Sequence, residues 1–74
     1  MEIKSITNFL RHERKRRGMT QNELAGISGV SPNTIANIEK GNGRIDTLMA
    51  IISTWWDDMA SFGEDYEYWR DGNE

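Results

Sequence analysis

The stretch from Thr20 to Gly41, TQNELAGISGVSPNTIANIEKG, leaves this chain few ways to fold. Thr20 and Glu23 stand at capping-box spacing, where a threonine hydroxyl and a glutamate carboxylate satisfy each other's backbone N–H groups, so a helix begins at Gln21. Gly26 and Gly29 weaken that helix and keep it short, and Gly29 tolerates the left-handed backbone of a tight turn. Ser31 is then a good N-cap, with Pro32 at the first helical position, where a missing N–H costs nothing. This next helix runs over about 32–40 and stops at the GNG of 41–43. Where two such helices cross steeply, Ala25 is the small residue at closest approach and Leu24, Val30, Ile35 and Ile38 form the inward set. Ser28 is polar at an inward position, but the carbonyl of Leu24 lies within reach of its hydroxyl, four residues back.

The flanking segments also read as helices. Ile3, Ile6 and Leu10 recur at helical spacing with Phe9 beside them, and the charged RHERKRRG that follows closes at Gly18, which predicts a first helix over about 3–17. From Ile45 an apolar stripe continues through Leu48, Ile52, Trp55, Met59, Phe62, Tyr66 and Trp69 at heptad spacing. It admits either one long fourth helix or a fourth helix ending near Trp56 and a short fifth over about 58–62. The segment EDYEYWR also fits a short strand, because Tyr and Trp favour strands and Tyr66 and Tyr68 flank Glu67. The expected fold is therefore an all-α bundle of four to five helices, divided into a body over 1–56 and an acidic, aromatic extension over 57–74.

Charge separates the same two parts. Residues 1–44 hold eight Lys/Arg against four Glu, whereas residues 57–74 hold seven Asp/Glu against Arg70 alone. A polyanion is drawn to the first part and repelled by the second, despite a net charge of −3. The absence of cysteine excludes disulfides and thiolate metal sites. No apolar run approaches the roughly 18 residues of a membrane span, and no signal-peptide pattern opens the chain, so a cytoplasmic protein is expected. Catalysis finds no support. His12 is a lone histidine without ligand partners at metal-binding spacing, GNG follows no strand, and neither a cofactor nor a metal is expected.

Two short helices joined by a glycine turn describe the helix-turn-helix motif. Through LRHERKRRGMTQNELAGISGVSPNTIANIEKG and DTLMAII, the chain resembles the phage repressor and Cro family of DNA-binding regulators over about residues 10–55. The resemblance implies a lambda-repressor-like fold and double-stranded DNA as partner. It implies an internal ion pair between Arg14 and Glu39, which composition alone would leave as surface charges. It makes the third helix the reader of the major groove. With Ile35 and Ile38 inward, that helix turns Asn33, Thr34 and Asn37 outward, with Ser31 and Pro32 at its exposed start. Asparagine matches the N6/N7 edge of adenine, and threonine suits a hydrogen bond or a thymine methyl. Gln21, at the head of the second helix, matches a phosphate-contacting position, where it sets register and not sequence. Asn42 and Arg44 fall in a loop that touches the backbone, and Lys40 and Arg17 add longer-range attraction. Pro32 stands where some phage repressors carry a base-reading glutamine, which shifts direct readout onto Asn33, Thr34 and Asn37.

Trp55 and Trp56 depart from the family pattern, and Trp55, Trp56, Met59, Phe62, Tyr66 and Trp69 form more apolar surface than one small domain easily buries. They are expected to make a twofold dimer interface or to dock another protein. The sequence thus points to a dimeric, sequence-specific transcriptional regulator of repressor type. The alternative is a protein-interaction module, antitoxin-like, on the same fold.

Overall fold

The structure, a computed structural model, describes residues 3–73. Its element order is α1 (Ile3–Arg16), α2 (Gln21–Ser28), α3 (Pro32–Glu39), α4 (Ile45–Trp55) and α5 (Met59–Asn73). The all-helical expectation is met, with no strand among the described residues.

The boundaries follow from local hydrogen bonding. At the end of α1, the Gly18 N–H donates to the carbonyl of Lys15 and that of Met19 to Arg14, closing the last turn on itself. The Thr20 hydroxyl accepts from the N–H of Glu23 at 3.1 Å, while the Glu23 carboxylate accepts from the N–H of Thr20 at 2.9 Å. Gly29 ends α2 with φ 77°, a left-handed conformation that would strain any β-carbon-bearing residue. Ser31 caps α3 by accepting from the N–H of Thr34 at 3.1 Å, with Pro32 in the first turn. The loop between α3 and α4 is tight at Gly43, where an added β-carbon would stand 3.1 Å from Cδ2 of Leu48 and 3.4 Å from Cγ1 of Ile38.

The core joins all five helices. Leu24, Ala25, Ile35, Ile38, Leu48, Ile51 and Ile52 pack around Leu10 and Phe9. Val30, expected inward, is half-buried against this cluster. The Ser28 hydroxyl donates to the carbonyl of Leu24 at 2.7 Å, so its polar group is satisfied where a hydrophobic residue was expected. Phe9 then carries the core over to α5, with Trp56, Phe62, Tyr66 and Trp69 at ring-centroid distances of 5.4 to 5.8 Å.

The C-terminal part decides between the sequence alternatives: α4 ends at Trp55 and a fifth helix follows, longer than expected. The stripe from Ile45 to Trp69 is neither one long helix nor a helix followed by a strand. Trp56 is extended, with φ −127° and ψ 138°, and Asp58 starts a new helix by accepting from the N–H of Ser61 at 2.8 Å. That fifth helix runs to Asn73, far beyond 62. The break shifts the phase of the stripe, so Trp56 faces inward in place of Trp55, and Ile45 at the head of α4 is 72% exposed. Three of the residues expected at a dimer or partner surface, Trp56, Phe62 and Tyr66, lie instead in the core of their own chain. Their polar atoms are matched there: the indole N–H of Trp56 donates to Asp65 at 2.8 Å and the Tyr66 hydroxyl to Ser5 at 2.8 Å. The described part of the extension, 57–73, thus shares one core with the body, and α5 packs mainly on α1.

Candidate nucleic-acid interface

Helix α3 is anchored from behind and open in front. Behind it, Glu39 is held by Arg14, whose Nε and Nη2 donate to the two carboxylate oxygens at 2.6 and 3.0 Å. Arg14 also donates to the carbonyl of Met19 at 2.7 Å, which ties the end of α1, the loop into α2 and the end of α3 together. The Glu39 side chain is only 6% exposed, and burial alone pushes its carboxyl pKa up. The hydrogen bonds from Arg14 and Gln21, with the charges of Arg14 and Arg11, outweigh that and hold it below the ordinary 4.5. The ion pair implied by resemblance is therefore present and bidentate, the stronger geometry for an arginine and a carboxylate.

In front, Ser31, Pro32, Asn33 and Asn37 are exposed and Thr34 is half-buried. These residues do not offer equal chemistry. The Ser31 and Thr34 hydroxyls lie 2.8 Å apart and bond each other, and Ser31 also accepts from the Thr34 N–H, so both are partly spent on capping. The side-chain amides of Asn33 and Asn37 are engaged by no other described residue and keep their full donor and acceptor pairs.

Two concavities flank the helix. One, of about 320 Å³, is lined by Arg11, Arg14, Gln21, Ala36, Glu39 and Lys40. The other, of about 350 Å³, is lined by Thr34, Asn37, Ile38, Asn42, Arg44, Asp46 and Thr47. Gln21 and Lys40 are thus brought together on one side of α3, and Asn42 and Arg44 on the other. The Gln21 amide also donates to Glu39 at 3.0 Å, so the residue at the head of α2 is fixed relative to the end of α3. Arg44 is 84% exposed and sets no side-chain cap on α4.

Arg17 does not join either group. It donates to Glu13, and its guanidinium carbon sits 4.4 Å from the Trp55 ring centroid and 5.6 Å from that of Trp56. The buried carboxylate of Glu13 and two indole faces draw this cation to the end of α4, away from α3. Trp55 and Trp69 are half-buried against the core, and Met59 is 52% exposed. Conversely, Arg11 and Thr47 belong to the two flanks and were not singled out from sequence. A signal for Arg11 did exist: it lies three residues before Arg14 on α1, hence on the same helix face. Thr47 carried none, because its place depends on how α4 leaves the loop.

A helix-turn-helix family model matches residues 10–52, more than half of the chain. The match spans the two crossing helices, the glycine turn and both sides of the Arg14–Glu39 pair, and it ends before α5. No match to a curated protein or to a solved structure accompanies it. The chain belongs to the helix-turn-helix family of Cro- and repressor-type DNA-binding regulators.

Proposed function

We propose that this protein is a sequence-specific regulator that reads the major groove of double-stranded DNA with α3 and binds its operator as a homodimer. The observation that carries the reading is the outward, unengaged pair of amides at Asn33 and Asn37, set between flanks that hold Arg11, Gln21 and Lys40 on one side and Asn42 and Arg44 on the other. A groove about 12 Å wide admits a helix, and amides at this spacing match adenine edges while the flanking cations meet phosphates. Thr34 adds its methyl, and Ser31 and Pro32 bring the head of the helix close to the bases.

The dimer seam is the exposed face of α4. Ile45 and Met49 lie one turn apart on it, 72% and 36% exposed, and Met59 follows at the start of α5. No charged side chain occurs from Thr47 to Trp56, so the middle of this face carries no charge to repel its copy. A twofold axis there sets two reading helices about 34 Å apart, one turn of DNA. The test is Asn37→Ala against the preferred duplex. It should weaken binding by about 1–3 kcal/mol and relax the preference at one base pair per half-site. Unchanged affinity and unchanged preference would remove α3 as the reader.

A further inference from the structure

Four carboxylates occur between Ile3 and Trp55, and three have an internal task. Glu13 is buried and holds Arg16 and Arg17, Glu23 completes the capping box of α2, and Glu39 holds Arg14 and Gln21. The fourth, Asp46, is 69% exposed and lies in the cleft it shares with Thr34, Asn37, Asn42 and Arg44. A negative charge beside base-reading side chains opposes every phosphate that approaches them. Its position is defined: one carboxylate oxygen accepts from the N–H of Thr47 at 2.9 Å, and the same oxygen stands 3.7 Å from Nε of Arg44. The Thr47 hydroxyl in turn donates to the Arg44 carbonyl at 2.9 Å, which keeps the segment 44–47 compact.

Resting on the reading that this face binds DNA, we propose that Asp46 tunes DNA affinity by competing with phosphates for Arg44. At 3.7 Å the pair is in charge contact without a direct hydrogen bond, and both groups are largely exposed. Such a pair is weak, so a phosphate displaces it when the duplex is held close. On a duplex that α3 does not fit, docking is looser, Arg44 stays with Asp46 and the cleft contributes almost no net positive charge. On a fitting sequence, the contacts of Asn33 and Asn37 bring the backbone near, and Arg44 exchanges its carboxylate for a phosphate. Asp46 thereby weakens binding to both kinds of duplex, through the part of DNA binding governed by charge.

The experiment uses the full chain and two variants, Asp46→Asn and Arg44→Ala, alone and combined, titrated with salt on a random-sequence duplex and on the preferred duplex. Asparagine keeps an acceptor for the Thr47 N–H, so α4 retains its start. Asp46→Asn is expected to raise random-duplex affinity about two- to fivefold at low salt. The slope of log affinity against log salt steepens by up to about 0.9, one added phosphate contact. Affinity for the preferred duplex rises at least as much, because there Arg44 must leave Asp46 to meet a phosphate, and in the Arg44→Ala background the gain shrinks to the relief of direct repulsion. An Asp46→Asn protein with unchanged random-duplex affinity and slope overturns the proposal, as does an equal gain without Arg44. A parent chain that binds neither duplex instead overturns the DNA-binding reading itself.

Discussion

Tyr66 offers the sharpest test of whether α5 is part of the fold or an attachment to it. The residue is 1% exposed, its ring lies 5.7 Å from Phe9 and 6.0 Å from Phe62, and its hydroxyl donates to Ser5. Tyr66→Phe removes one buried hydrogen bond and leaves the ring, a loss of about 0.5–1.5 kcal/mol. Tyr66→Ala removes the ring from a packed core, a loss of about 3–5 kcal/mol. For 74 residues, total stability is on the order of 4–11 kcal/mol, so the alanine variant consumes a large share of it. A chain ending at 56 loses Phe62 as well and uncovers Phe9 and Trp56, together roughly the whole of that stability. Urea denaturation followed by circular dichroism and tryptophan fluorescence reads all three. With a slope near 1 kcal/mol/M for so small a domain, Tyr66→Phe moves the midpoint by about 0.5–1.5 M. Tyr66→Ala moves it several times further, and the truncated chain shows no cooperative transition. A truncated chain that melts at the full-length midpoint would refute the shared core. So would equal shifts for the two Tyr66 variants. Loss of DNA binding on truncation therefore reports unfolding before it reports dimerisation.

The remaining predictions concern the anchoring of α3. Glu39 has a folded pKa below 4.5, so its contribution is complete above that pH and is lost as pH falls through the lowered folded value. Stability measured from pH 7 to pH 3 should fall below about pH 4.5, and Glu39→Gln should flatten that part of the curve; identical slopes would contradict the assignment. At neutral pH, Glu39→Ala leaves Arg14 without its carboxylate and should cost about 3–5 kcal/mol in a denaturation experiment. Gly43→Ala places a methyl against the buried Leu48 and Ile38 and should lower stability by about 1–3 kcal/mol through overpacking, whereas an unchanged midpoint would show that the loop relaxes freely.

The parts of this molecule that were legible in its sequence are those set by short-range hydrogen bonding. Thr20 with Glu23, Ser31 before Pro32, and Ser28 four residues after Leu24 need only a few neighbouring residues to find their partners, and each appears as read. The Arg14–Glu39 pair spans 25 residues, and only the resemblance to a family revealed it. The break before α5 was legible only as one of two alternatives, and the length of α5 not at all, because an apolar stripe at heptad spacing runs unbroken through a place where the backbone is not helical. The stop depends on Asp58 capping a new helix through Ser61, three residues ahead, which is a local pattern, and on Trp56 finding Phe9 and Asp65, which is not. Arg17 went astray for a related reason. A run of arginines looks uniformly solvated, but one of them meets the indole rings of Trp55 and Trp56 at the end of α4. On the candidate interface, the outward face of α3 was legible from the inward one. What the sequence hid was that the Ser31 and Thr34 hydroxyls partner each other, and that Asp46 shares the cleft with Asn37.

The most direct test of the central claim is selection of bound sequences by the full chain from a random duplex pool, with the enriched site then titrated against salt. One enriched, dyad-symmetric site is expected, with half-sites about one helical turn apart and adenine at positions reached by α3. A pool that stays random, with only weak and salt-sensitive binding, would contradict it and turn attention to a protein partner for this fold.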